Sequence, residues 1–406
     1  MKRNLALMLM FVVFMAALTF VPVLAQQDTP KPTDDDSGKF IRMGERAIPG
    51  QYIVVLDMDV DGGKGDLALA ATAADELTAA YGGVVTDTYA AALNGFAAQM
   101  TEEQALNLSK DPRVSFVEED SIMTTMVTQT NPPWGLDRID ETDLPRSGTY
   151  TYTTTGAGVN VYIIDTGIRR THTQFGGRAF VGFDAINDGR NSSDCNGHGT
   201  HVAGTVGGST FGVAKGVRLF AVRVLGCNGS GSTSGVIAGV NWVTSNHEDP
   251  AVANMSLGGG ASTSLDTAVN NSINAGVTYA VAAGNSNTNA STQSPARVAA
   301  AITVGSSTIN DARSSFSNFG SVVDIFAPGS SIQSAWWTSD TATATISGTS
   351  MASPHVAGVA ARIKQSNPGA SPATVRNEMV NQATLNRLSG IPSGTANRLL
   401  FRSGTQ

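Results

Sequence analysis

The stretch VNVYIID, residues 159–165, is a short, largely apolar run that ends on a carboxylate. Glycines bound it on both sides, and its β-branched content and length favour a strand over a helix. Such a strand, apolar at nearly every position, is buried on both faces. Outward from it the pattern repeats in RLFAVRV (218–224), AVANMSL (251–257), VTYAVAA (277–283) and AITVG (301–305). Helical patterns over 233–246, 265–275, 351–365 and 372–383 lie between or after these runs. Strands alternating with helices predict an α/β domain of three layers, a parallel sheet between helices, with ligands met at the carboxyl ends of the strands. Gly156 and Gly158 precede the first strand instead of following it, so no loop is placed to cradle a dinucleotide pyrophosphate.

Chemistry-bearing residues fall at the ends of these elements. Asp165 closes the first strand, where a carboxylate leaving an apolar run needs a partner. His198 lies in DCNGHGTHVAGT at the mouth of a helix of small residues, and Asn285 follows a buried strand in AVAAGNSN. Ser350 opens a helix in GTSMASPHVAG. Each has a plain structural alternative: turn cap, structural or metal-paired histidine with His201, turn asparagine, helix N-cap. The chain has five histidines, which leaves few other bases. Together, Asp, His and Ser in that chain order match one of the convergent serine-protease triads. Ser350 would be the nucleophile, His198 its base, Asp165 the group that orients the imidazole, and Asn285 with the Ser350 N–H the oxyanion donors. Ala352 breaks G-x-S-x-G, and the order is wrong for an α/β-hydrolase esterase.

With these motifs the sequence resembles the subtilisin-like serine proteases of the proteinase K branch, most of all the aqualysin-type secreted ones, over residues 133–400. The resemblance implies a subtilisin-like fold and a broad endopeptidase preferring hydrophobic or aromatic P1 residues. It implies extended substrate binding along Gly229, Ser230 and Gly231 and along Ser256, Leu257 and Gly258. Backbone at such glycine-rich edges can pair with a peptide as an added strand. It implies structural calcium at Asp324 with the carbonyls of Ala299 and Ala301, hard oxygen ligands of the kind calcium takes. Further candidates are Asp184 with Asp188, and Asp137 with Asp140, where Ser147 and Thr149 replace expected ligands. Relatives of the aqualysin type carry a second disulfide, but Ser291 and Val322 stand at those positions here, leaving Cys195 with Cys227.

The front of the chain reads as export and control. Residues 1–25 carry Lys2 and Arg3, an apolar run and small residues at Val23 and Ala25, the pattern of a cleaved signal peptide. An exported chain would let its two cysteines, Cys195 and Cys227, pair, the alternative being two buried thiols. Residues 26–47 are expected to form an acidic linker. Residues 48–126 show a strand and helix order of the α+β ferredoxin-like type, with a capping box at Thr101 and Gln104. By resemblance this is an inhibitor-type propeptide, a folding aid cut away between Met126 and Val127. DMDVDG (57–62) opens like a calcium loop, but Ala68 stands at the twelfth position in place of Glu. Residues 1–126 hold 9 Lys+Arg against 18 Asp+Glu and the remainder 17 against 15, so no basic surface suggests a nucleic-acid partner. The expectation is a secreted monomer, free of the membrane once its signal is removed, acting on proteins and peptides.

Overall fold

The computed structural model describes residues 39–44, 47–57, 66–123 and 126–404; the signal-peptide assignment, most of the linker and most of the 57–62 loop lie outside them. The chain divides into two compact units at residues 123 and 124.

The first unit contains β1 (Phe40–Ile41), β2 (Ala47–Leu56), α1 (Leu67–Tyr81), β3 (Val84–Tyr89), β4 (Gly95–Gln99), α2 (Glu102–Leu108) and β5 (Val114–Ser121). Its sheet runs β1-β5-β2-β4-β3, and without β1 this is the antiparallel order of a ferredoxin-like unit. The polar stretch expected to extend to residue 47 as a linker includes the strand β1. Phe40 pairs with Val117 and its ring lies tilted against Tyr52, so one aromatic side chain gives this segment apolar area to bury. Thr101 and Gln104 form the expected capping box, each side chain satisfying the other's backbone N–H. The core comprises Val54, Leu77, Phe96, Leu108 and Val117, all inaccessible to solvent.

The second unit begins with β6 (Val127–Thr130), α3 (Trp134–Ile139), β7 (Thr149–Tyr152), β8 (Asn160–Asp165), β9 (Ala179–Asp184), α4 (His198–Gly207) and β10 (Arg218–Arg223). It continues with α5 (Thr233–Asn246), β11 (Ala251–Met255), β12 (Gly259–Gly260), α6 (Thr263–Asn274), β13 (Thr278–Ala282), β14 (Gln293–Ser294) and β15 (Ile302–Ser307). The last elements are β16 (Ile325–Pro328), β17 (Ile332–Ala335), β18 (Thr343–Ile346), α7 (Thr349–Ser366), α8 (Pro372–Gln382), β19 (Thr384–Leu385) and β20 (Arg398–Leu399). The main sheet has the order β19-β20-β16-β15-β13-β11-β8-β10-β9, parallel from β20 to β9.

Alternation along β8 divides the interior. Val161 and Ile163 face a core shared with α4, α7 and α8, whereas Tyr162 and Ile164 face one shared with α5 and α6. The same alternation sends Asp165 to the α4 side, where His198 begins the helix. Chain order reverses around β8, with β10 on one flank and β11 on the other, and a crevice opens at the carboxyl ends of such a switch point.

Candidate active site

Asp165 is completely buried, and its oxygens lie 2.8 and 2.9 Å from Nδ1 of His198. A carboxylate can only accept, so Nδ1 carries the proton and Nε2 presents its lone pair. The Thr166 N–H donates to Asp165 at 2.7 Å and fixes the carboxylate in turn. Burial disfavours an imidazolium here, but the charge and hydrogen bond of Asp165, with the charge of Asp194, outweigh it and raise the His198 pKa above its ordinary value. Gly199, next to His198, has no side chain because a Cβ there would lie 2.2 Å from the Gly167 carbonyl. That close approach lets α4 begin against the end of β8.

Ser350 sits in the first turn of α7, partly exposed, with its N–H ahead of the helix's repeating hydrogen bonds. Its hydroxyl donates to the Ser256 carbonyl at 3.0 Å, and among the described residues no hydrogen bond joins it to His198. Beneath it, Ser256 Oγ donates to the Ser350 carbonyl, Asn254 Nδ2 donates to Ser256 Oγ, and Ser353 Oγ donates to Asn254 Oδ1, all at 2.8–2.9 Å. Sequence reasoning missed this chain. Asn254 lies inside a buried strand, and a wholly buried amide in an apolar run is the signal that could have found it.

Asn285 turns its Oδ1 towards Thr349, accepting from that residue's N–H at 2.8 Å and its hydroxyl at 2.9 Å. The amide nitrogen is thereby aimed the other way. A methyl group placed on Gly348 would lie 3.5 Å from Asn285 Nδ2 and 3.6 Å from Ser350 N, so both donors border one small space. Both can donate to an oxygen there, beside the positive end of α7. Thr349 was not anticipated; its role is visible only once the helix and the Asn285 turn are brought together.

A cleft of 420 Å³ opens beside His198, and Gly229, Ser230, Gly231, Ser256, Leu257 and Gly258 all line it. Leu225, Val236 and Leu265 add an apolar wall. The loop carrying Gly229 to Gly231 is tied to the His198 segment twice: by the Cys195–Cys227 disulfide and by Asn196 Nδ2 donating to the Cys227 carbonyl at 3.0 Å.

The three acidic sets differ in what already holds them. Asp184 and Asp188 accept from the fully buried Arg223, which also approaches the Cys195 sulfur, so a guanidinium supplies the cation there. Those bonds hold Asp188 down to about 2. Asp324 accepts from Thr303 N at 2.8 Å and pairs with Arg376. Ala301 is buried nearby in the chain and Ala299 is exposed. Asp137 and Asp140 stand together with Glu141, one oxygen of each within 4.8 Å of the others. Asp137 receives Gly148 N and lies 3.6 Å from Arg146, and Asp140 Oδ2 receives Thr151 N, but Asp140 Oδ1 is buried with no hydrogen-bond partner among the described residues. Burial pushes Asp140 up to about 7. Met126 and Val127 are exposed, and Val127 starts the β6–β7 hairpin.

Residues 156–404 match the model of the Subtilase family, and residues 51–126 that of the Peptidase inhibitor I9 family. An extracellular serine proteinase of a Thermus species is 53% identical over 368 residues, covering 87% of this chain and 90% of that protein. A cuticle-degrading protease of Metarhizium anisopliae is 42% identical over 395 residues, covering 95% and 98% respectively. A crystal structure of a cold adapted subtilisin-like serine proteinase superposes with a TM-score of 0.65 at 56% identity, over 67% of this chain and 98% of that one.

Proposed function

This chain belongs to the subtilase family of serine proteinases, and from that membership we propose that it is a secreted, self-processing endopeptidase that hydrolyses proteins through an acyl-enzyme on Ser350. The observation that carries the reading is the buried Asp165 receiving Nδ1 of His198 while Asn285 and Ser350 N border one oxygen-sized space.

In this mechanism the Ser350 hydroxyl leaves the Ser256 carbonyl and gives its proton to Nε2 of His198 as its oxygen attacks the scissile carbonyl. Negative charge moves to the carbonyl oxygen, where the Asn285 amide and the Ser350 N–H receive it. Collapse breaks the C–N bond, and His198 delivers its proton to the departing amine. A water molecule then attacks the ester with His198 again as base, which frees Ser350. The substrate backbone lies along Gly229, Ser230 and Gly231 and along Ser256, Leu257 and Gly258. The Leu225, Val236 and Leu265 wall favours apolar side chains, in keeping with a broad specificity and a hydrophobic or aromatic P1 preference.

Residues 1–25 serve export, residues 26–47 link, and residues 48–126 form the inhibitor and folding aid removed by cleavage between Met126 and Val127. Residues 127–406 remain as a monomeric enzyme. The Thermus relative is named extracellular, and among the described residues no helix is long and apolar enough to cross a membrane. Structural calcium fits best at Asp137, Asp140 and Glu141, because a buried carboxylate oxygen without a partner favours a hard cation. The Asp324 site with Ala299 and Ala301 comes second, since Arg376 bonds directly to the carboxylate whereas Arg146 stands off at 3.6 Å from Asp137, and Asp184 with Asp188 comes third.

The test is digestion of casein by wild type beside Ser350→Ala, with product termini sequenced. Wild type should digest casein and cut after apolar residues while the variant is inert. Digestion by neither would point to a binding protein built on this scaffold.

A further inference from the structure

No step above uses the carboxylate of Asp194, yet it receives five hydrogen bonds at 7% exposure. Oδ1 accepts from Thr166 Oγ1 at 3.0 Å, Asn196 N at 2.9 Å and Gly197 N at 3.0 Å. Oδ2 accepts from Thr200 N at 2.9 Å and Thr200 Oγ1 at 2.5 Å. The Thr166 hydroxyl in turn accepts from Gly199 N at 2.9 Å, and the Thr166 N–H donates to Asp165. One carboxylate therefore joins the residue following Asp165 to the first turn of α4, whose leading residue is His198. Bonds to an ionised acceptor are stiffer than neutral ones, and a buried network tolerates little displacement.

We infer that Asp194 is a positioning residue for the Asp165–His198 pair: it fixes the end of β8 against the start of α4, and its charge adds to that of Asp165 in stabilising the imidazolium formed during attack. The inference rests on the serine-proteinase reading. The titratable groups facing His198 are Asp165 from β8, Asp194 from the turn before α4, and His201 one turn along α4. Burial lowers His201 to about 4, so it is neutral while the enzyme works. The two carboxylates are then the charges that favour a protonated His198.

Wild type, Asp194→Asn and Thr166→Val, each produced as the full chain, are compared by active-site titration, thermal melting, and kcat and KM on a peptide anilide across the acid limb. Asp194→Asn should lower kcat roughly 10- to 100-fold with little change in KM, and move the acid limb down by roughly 0.5–1 pH unit. Thr166→Val should lower kcat roughly tenfold and leave the acid limb in place, because the Asp194 charge remains. Wild-type kcat or an unmoved acid limb in Asp194→Asn overturns the inference. If that variant does not melt as a folded protein, Thr166→Val decides, and wild-type kcat in it overturns the inference. Failure of the proteinase reading would differ: wild type itself would show neither turnover nor a titratable nucleophile.

Discussion

Asn285 is held by its oxygen, which accepts from Thr349, and in the proposed mechanism it acts by its nitrogen, which separates the role of Thr349 from its own. Asn285→Ala should cost roughly two to three orders of magnitude in kcat, a magnitude that comes from a subtilisin, with KM little changed. Thr349→Val removes the hydroxyl that accepts from Gly284 N and donates to Asn285, and kcat should fall while Thr349→Ser recovers it. Wild-type kcat in Thr349→Val would contradict the assignment. His198 sets the pH response. It accepts the Ser350 proton only when neutral, and its pKa is raised, so kcat/KM should rise with pH through a limb whose midpoint lies above 6.5. A midpoint below 6.5 would contradict the electrostatic account. Asp165, His198, Ser350 and Asn285 could be picked out as candidates in the sequence because the proposed chemistry admits so few residue types at strand and helix ends. Asp194, Asn254 and Thr349 were not, because each acts through hydrogen-bond partners that meet only in the fold.

At the level of elements, the strands were legible where burial on both faces made them continuously apolar, as in β8, β11 and β13. The sheet edge was not. β9 has two exposed residues, Phe180 and Val181, with Gly182 following, and β16 has four residues ending in Pro328, so neither gives a pattern of useful length. The start of α1 gives little signal in the sequence, since its first turns are Ala, Leu and Thr with several exposed positions and no clear apolar face. Two predictions belong here. Gly199→Ala would drive a methyl into the Gly167 carbonyl, and by forcing α4 away from β8 it should cost more than about 1–3 kcal/mol and most activity. In α7, His355 is buried, donates from Nδ1 to the Met351 carbonyl, and is lowered to about 4 by burial. Its folded pKa lies below the unfolded value, so the unfolded chain takes up the proton first as pH falls. The stability it contributes is complete above about 6.5 and is lost as pH falls towards about 4. Urea melts across that window should be less pH-dependent in His355→Leu; an unchanged dependence would contradict the assignment.

Across the whole molecule, the acidic N-terminal part and the near-neutral remainder correspond to the I9 and subtilase matches, and that division was readable from charge and the change in pattern. Which acidic residues favour an ion was not readable, because Arg223 and Arg376 reach their carboxylates from distant positions in the sequence. For a site at Asp137, Asp140 and Glu141 filled at about 100 times its Kd, chelation should lower Tm by about 5–10 °C. Asp140→Asn should abolish that response, and a Tm indifferent to calcium would remove the site. The central claim is that Ser350 is a nucleophile made reactive by His198 and Asp165. Intact-mass and peptide mapping after treatment with an organophosphorus fluoridate tests it most directly. The account predicts one adduct, on Ser350, absent in Ser350→Ala and formed far more slowly in His198→Ala; an adduct on another residue, or equal labelling in His198→Ala, would contradict it.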